Sequence, residues 1–341
     1  MKIAAVVITY NRIDLLPRAL KSIEKQNRQP NFVFVVSNST DINFELEKAI
    51  CADFGFFLTR NVRTHTYTGA LNTSIEEIIK HFGIDDTLYF ASLDDDDAWL
   101  PNYLQEIDTN NTDNFDLIIG GLLRHSNDEN ELQILPKTLS IKDFLIGNPG
   151  ICGSNTFIRL TKLLEAGSFD ENVDATADRD LMVRVFQQKP TYKIINKHLV
   201  TQFTDNDRPR VTTSGEKKQK SLLVFYYKYQ HLMTGKDKNL FFERAYQLFF
   251  MPKEAFEDIK TNLTKIKKQE IGFKNKGNYP FIIGFIAGDK VIAERIVQQI
   301  IEKNIPVDLV VMIDNTQEEQ SLELCVALFN SKNINCSLIK K

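Results

Sequence analysis

The sequence predicts an α/β protein: a mostly parallel sheet flanked by helices, followed by a helical segment and a partial second α/β unit. Three observations carry this reading. β-Branched runs of strand length alternate with apolar residues at helical spacing from the first residues onward. Polar residues gather where those strands end. The last part of the chain, from Tyr279, repeats the opening pattern. With 341 residues, 43% of them apolar, the chain can build a substantial core and is long for one domain.

The elements follow in order. Ile3–Ile8 is an apolar strand, Leu15, Leu16, Ala19, Leu20 and Ile23 mark one face of a helix, and Phe32–Val36 is a second strand. This β-α-β unit implies parallel pairing. A third strand (Phe56–Leu58), a helix around Gly69–His81 and a fourth strand (Leu88–Leu93) continue the alternation. The fourth strand runs into Asp94-Asp95-Asp96-Asp97, and Pro101 opens a further helix. Leu117–Ile119, a Gly/Asn-rich loop (Gly147–Asn155), strand Thr156–Arg159 and a helix from about Thr176 complete a domain assigned to residues 1–212. Residues 213–275 are lysine-rich, aromatic and helical in pattern. Their stripe of Phe225, Tyr226 and Tyr229 reads as the inward face of a packed helix, with a membrane or partner surface as the alternative. Residues 276–341 repeat strand, helix and strand (Phe281–Ile286, Val291–Ile301, Val307–Ile313) and end on Asn335–Ile339. That fragment is about half of a doubly wound domain, which suggests a chain cut from a longer protein.

Charge and composition narrow the function. A net charge of −3 gives no general attraction to nucleic acid or anionic membrane. Cys51, Cys152, Cys325 and Cys336 form no CxxC pair and fit reduced thiols better than a zinc site or disulfide framework. The N-terminus lacks a signal-peptide cleavage pattern, and no apolar stretch approaches the ~20 residues needed to cross a bilayer. A cytoplasmic protein is expected, with peripheral contact at the inner membrane face through residues 215–271 as the variant of that reading.

In an open parallel sheet, ligands bind beyond the carboxyl ends of the strands. Three strand ends are polar here: Thr9-Tyr10-Asn11-Arg12, Ser37-Asn38 with the residues to Asp41, and Asp94–Asp97. Four adjacent carboxylates repel one another unless solvated or bound to a cation, and a hard ion such as Mg²⁺ or Mn²⁺ relieves that repulsion. A solvated acidic turn is the alternative. In the later helix, Asp178 precedes Leu181, Met182 and Val185 by three, four and seven positions, which puts it on the apolar inward stripe. Asp180 falls on the opposite face, within reach of Arg184. In the first turn of its helix Asp178 is expected to stay ionised through the helix dipole, as a general base requires, although an N-cap role fits the same position.

These residues resemble family 2 of the glycosyltransferases, which have the GT-A fold. VVITYNR with LPRALKSIEKQ is similar to the family's nucleotide-binding first unit. SLDDDDAWLPNYLQ resembles its DxD metal motif, and GSFDENVDATADRDLMVRVF its acceptor-side segment. The resemblance spans about 200 residues. It implies that Asp94 meets ribose or metal, that Asp96 ligates the ion bridging the diphosphate, with Asp95 beside them, and that Asp178 is the base. Thr9, Tyr10, Asn11, Arg12, Ser37 and Asn38 would line the donor site. Ser37-Asn38 stands where the family often has an acidic pair, Ala177 where it has Glu, and Asn72 follows Leu71 where it has an Arg-Asn pair. His198 precedes the family's usual histidine position, so Arg208 and Arg210 are the preferred pyrophosphate ligands, against a solvated loop. The expected activity is metal-dependent transfer from a nucleotide sugar, a UDP-sugar by preference, to a hydroxyl on a glycan, lipid-linked or protein acceptor, with inversion. The competing readings are an inactive glycan-binding or assembly subunit and a nucleotidyltransferase; TYNRIDLLP lacks the glycine-rich loop of the latter.

Overall fold

The computed structural model describes residues 1–126, 129–204, 215–257 and three later strands, and divides into compact units Met1–Lys267 and Lys268–Lys341. In the first unit, β1 (Lys2–Thr9), β2 (Phe32–Ser37), β3 (Phe57–Arg60) and β4 (Leu88–Asp94) form a parallel block in the order β3-β2-β1-β4. Seven of the eight β1 residues are buried, as expected where helices cover both faces of a sheet. Successive side chains go to opposite sides. Ala4, Val6 and Ile8 pack with Ala70, Leu71, Ile75 and Ile78 of α3 (Tyr67–Phe82). Ile3, Ala5 and Val7 pack with Leu16, Ala19, Leu20 and Ile23 of α1 (Leu16–Glu24).

Beyond β4 the sheet becomes mixed. β8 (Thr156–Arg159) runs antiparallel between β4 and β6 (Leu117–Ser126), and β6 pairs in parallel with β9 (Tyr192–Phe203). The outermost strand, β5 (Asp97–Trp99), joins β9 antiparallel, and β7 (Glu129–Gln133) makes a hairpin with β6. The register of β6 and β9 shifts at Gly121, where a Cβ would lie 2.2 Å from the Lys197 carbonyl oxygen; only glycine lets the strands approach so closely.

Six elements go unforeseen in the sequence: β5, β7, β9, α2 (Asp41–Phe54), α5 (Ile141–Ile146) and α6 (Leu160–Glu165). Most of them are short or lie at the surface. In α2 only Glu47 and Cys51 are buried, so it carries no apolar stripe to read.

The helices of residues 215–257 belong to the same compact unit as the sheet. In α8 (Glu216–Tyr229), Phe225, Tyr226 and Tyr229 are buried, together with Phe241 and Phe242 of α9 (Gly235–Phe249) and Phe256 of α10 (Glu254–Glu257). They share a core cluster with Leu181, Met182 and Val185 of α7 (Ala177–Gln187). The aromatic stripe is therefore an inward face. No helix among the described residues is long and apolar enough to cross a membrane.

In the second unit, β10 (Ile282–Ala287), β11 (Leu309–Asp314) and β12 (Asn335–Lys340) pair in parallel in chain order. Parallel neighbours need crossover connections, which agrees with an α/β repeat. The helix expected over Val291–Ile301 lies outside the described residues.

Candidate active site

The acidic run is a tight, largely buried turn between two strands. Asp94 ends β4 and Asp97 begins β5, while Asp95, Asp96 and Asp97 are 3%, 7% and 0% exposed, which contradicts a solvated acidic turn. Arg12 compensates part of the charge: one of its terminal nitrogens donates to Asp95 Oδ1 at 2.9 Å and Asp96 Oδ2 at 3.1 Å. Arg18 donates to the Asp96 carbonyl oxygen at 2.6 Å and lies over the Phe203 ring. Burial still pushes the Asp95 carboxyl up to about 7, with the neighbouring Asp96 charge adding to the rise and Arg12 opposing it.

Two further hydroxyls fix the turn. Tyr67, at the start of α3, donates to Asp94 Oδ1 at 2.8 Å. Ser154 donates to Asp97 Oδ2 at 2.7 Å, accepts from the Asp94 backbone N–H at 3.1 Å, and its carbonyl takes the Trp99 indole N–H at 2.8 Å. Asp94, Asp96 and Asp97 each offer an oxygen, all within 4.8 Å of one another. An all-carboxylate set suits Mg²⁺ or Mn²⁺; oxygens on one such ion at ~2.1 Å lie at most ~4.2 Å apart, so the set needs to contract only slightly. Asp97 joins Asp94 and Asp96 in this group, an addition the DxD spacing did not single out.

Across from the turn stands Asp178, the second residue of α7, partly accessible beside a small cavity lined by Ser92, Gly153, Phe169 and Met182 among others. Burial, with the Asp94 charge adding to it and Lys218 opposing, pushes its carboxyl up to about 7. The shift runs opposite to the direction that the helix dipole alone would give. Cys152, partly buried beside Asp97, Asp178 and Asp94, is also raised, chiefly by desolvation. Gly153 is a steric requirement, since a Cβ there would lie 2.8 Å from the Tyr67 hydroxyl and 2.9 Å from Ser92 Oγ.

The residues after Asp178 anchor α7. Arg179 donates to the Phe144 and Leu145 carbonyl oxygens of α5, both at 3.0 Å, and stacks on Phe225. Asp180 pairs with Arg184 as expected, but it is fully buried beneath α8, where Lys228 and the Tyr229 hydroxyl also reach it. The face opposite Asp178 is thus a buried interface, not a solvated one.

The ends of β1 and β2 meet on the same edge. Asn11 adopts a left-handed φ of 54°; its N–H donates to Ser39 Oγ at 2.6 Å and its Oδ1 accepts from the Thr40 N–H and from Asn43. Ser37 and Ser39 both donate to Glu47, a fully buried acid of α2. Asn38 is held by Thr66 and Asn61, and its carbonyl oxygen lies 2.7 Å from His65 Nε2. Tyr10, 53% exposed, meets the His65 ring edge-on at 5.4 Å. Thr9 is buried at the end of β1, beside the acidic turn. Asn72 does not join this edge: its side chain bonds Phe169 and Glu171, tying α3 to the loop that leads to α7. Arg208 and Arg210 lie outside the described residues. Glu47, Tyr67, His65 and Ser154 are the residues that sequence reasoning missed; a polar residue on an otherwise featureless helix was the only signal for Glu47.

A carboxylate-lined turn at the end of a parallel strand, near a partly accessible carboxylate on a later helix, is the arrangement of a glycosyltransferase of the GT-A fold class. Residues 4–165 match the model of the family described as Glycosyl transferase family 2. Among solved structures, TarS of S. aureus, residues 1–349, in complex with UDP-GlcNAc is similar at 13% identity and a TM-score of 0.55, over 79% of this chain and 78% of that one. A longer TarS structure gives 14% and 0.53, and the match spans only 44% of its length. Mannosyltransferase PcManGT of Pyrobaculum calidifontis, in complex with GDP-Man and Mn²⁺, gives 15% and 0.47. No curated protein matches the chain.

Proposed function

We propose that the protein transfers a sugar from a nucleotide-sugar donor, a UDP-sugar, to an acceptor hydroxyl in one inverting displacement. The observation that carries this reading is the presence of two kinds of carboxylate at one strand edge: the Asp94, Asp96 and Asp97 set, close enough to share one cation, and Asp178 outside that set, raised to about 7 by burial and by the charge of Asp94. Mg²⁺ or Mn²⁺ in that set would supply Lewis-acid stabilisation of the departing diphosphate. Arg12 and Arg18 hold the turn in shape. Tyr67 orients Asp94. Tyr10 offers an exposed ring for a nucleobase, with Asn11, Ser37 and Asn38 forming the floor around it. Asp178 takes the proton of the attacking hydroxyl, and its pKa near working pH suits a general base.

The test is incubation with Mn²⁺ and a panel of nucleotide sugars, reading release of nucleoside diphosphate. Metal-dependent release with one donor supports the proposal; no binding and no release with any donor overturns it. Asp178→Asn should lower transfer by about 10²–10⁴ while leaving nucleoside diphosphate binding near the parent value.

A further inference from the structure

At the C-terminal end of α5 lies a pocket of about 260 Å³ lined by Lys142, Asp143, Ile146, Gly147, Asn148, Pro149 and Arg244. Its one lining acid, Asp143, and Asp237, which pairs with the lining Lys142, are already committed. Asp143 accepts from the Ser140 N–H and hydroxyl, and Asp237 behind it pairs with Lys142 at 2.9 Å and caps α9 through Thr234. Arg244 is exposed and has no acidic partner among the described residues. Its guanidinium lies against Gly147, where a Cβ would stand 3.2 Å from Nε.

Arg179 and Lys218, near enough to feel the charge of Arg244, likewise have no carboxylate hydrogen-bond partner among the described residues. Arg179 donates only to the Phe144 and Leu145 carbonyl oxygens, and Lys218 only to that of Ala175. Both are buried, and their pKa values fall to about 9 and about 8, through burial first and then through each other's or Arg244's charge. Positive charge therefore accumulates around one loop. That loop, residues 147–153, runs from the pocket to Gly153, the residue packed against Tyr67 beside Asp94.

We infer that this pocket binds an oxyanion, a phosphate or carboxylate group, on Arg244, so that the acceptor is a negatively charged hydroxyl compound. The acceptor role rests on the transferase reading above; the anion site itself does not. Arginine meets such groups with two parallel N–H bonds, and the apolar Ile146 and Pro149 accommodate the carbon skeleton next to the charge. On this reading the two ends of the acceptor have different partners: its charge goes to Arg244 and its hydroxyl to Asp178.

The experiment is an NMR titration of the full chain, loaded with UDP and Mg²⁺ to fill the donor site, using glycerol 3-phosphate, glucuronate and neutral glycerol as probes. One or both anions should bind at least about tenfold more tightly than glycerol, and which one does identifies the group. Arg244→Gln should remove that preference, Arg244→Lys restore part of it, and Gly147→Ala, which crowds the guanidinium without changing charge, weaken it. Equal binding of glycerol and the anions, or an anion preference that survives Arg244→Gln in a protein that melts like the parent, overturns the inference. A chain that binds UDP but no anion fails only here; one that binds neither fails the transferase reading as well.

Discussion

At the residue scale, two carboxyls set the chemistry through the same cause. Asp95 and Asp178 are both raised from 3.8 to about 7, chiefly by burial. Each holds its proton more tightly folded than unfolded. They therefore favour the folded state fully below about pH 4, and that contribution is lost as pH rises through about 7. In metal-free buffer the melting temperature should fall between about pH 5 and about pH 8, and Asp178→Asn should flatten that fall. Catalysis has the opposite sign, because the base acts ionised: turnover should rise with pH, and the rise should vanish in Asp178→Asn. A cation on Asp94 removes the second contributor to the Asp178 shift, so the rise in the metal-loaded protein is expected below about pH 7. The placement of Asp94, Asp96 and Asp178 is legible in the sequence because each is local: a strand end or a helical stripe. Tyr67 and Ser154 are not, since they reach Asp94 from 27 and 60 positions away and nothing in their own neighbourhoods marks them.

At the scale of elements, α7 serves three neighbours through three consecutive side chains. A helix turns about 100° per residue, so Asp178, Arg179 and Asp180 diverge toward the cavity, α5 and α8. Phe225 of α8 stacks on Arg179 and is fully buried, so Phe225→Ala should cost about 3–5 kcal/mol, read by denaturant unfolding. Gly153→Ala should displace the Tyr67 hydroxyl from Asp94 and weaken Mn²⁺-dependent UDP binding, measured by calorimetry, with little change in unfolding midpoint. Helical periodicity found α1, α3 and α7 because each presents an apolar stripe to the sheet. It missed α2, whose buried residues are one acid and one cysteine. The strand β9 was missed for another reason: it serves β6 along its length and β5 at its end, so its burial follows no single alternation.

For the whole molecule, the first unit includes sheet, acidic turn, α7 and the aromatic helices, and its core clusters are formed within it. A chain ending at Lys267 should therefore fold and bind UDP with Mn²⁺ as the full chain does, by thermal shift. In either chain the two ligands together should raise the melting point more than either alone; saturation at 100 times Kd corresponds to about 2.7 kcal/mol. The repeat at 276–341 was legible as strands, and those strands pair in parallel, but an isolated strand pattern carries no information about what the unit does.

The close approach of β9 to Gly121 of β6 has one more consequence. By crossing from β6 to β5, that strand draws Asp97–Trp99 into the sheet and anchors the far side of the acidic turn, while β4 anchors the near side. A loop clamped at both ends has little freedom left to lose when an ion arrives. Widening the approach of β6 and β9 with Gly121→Ala, a residue outside the acidic turn, should thus loosen ion capture without altering a single ligand.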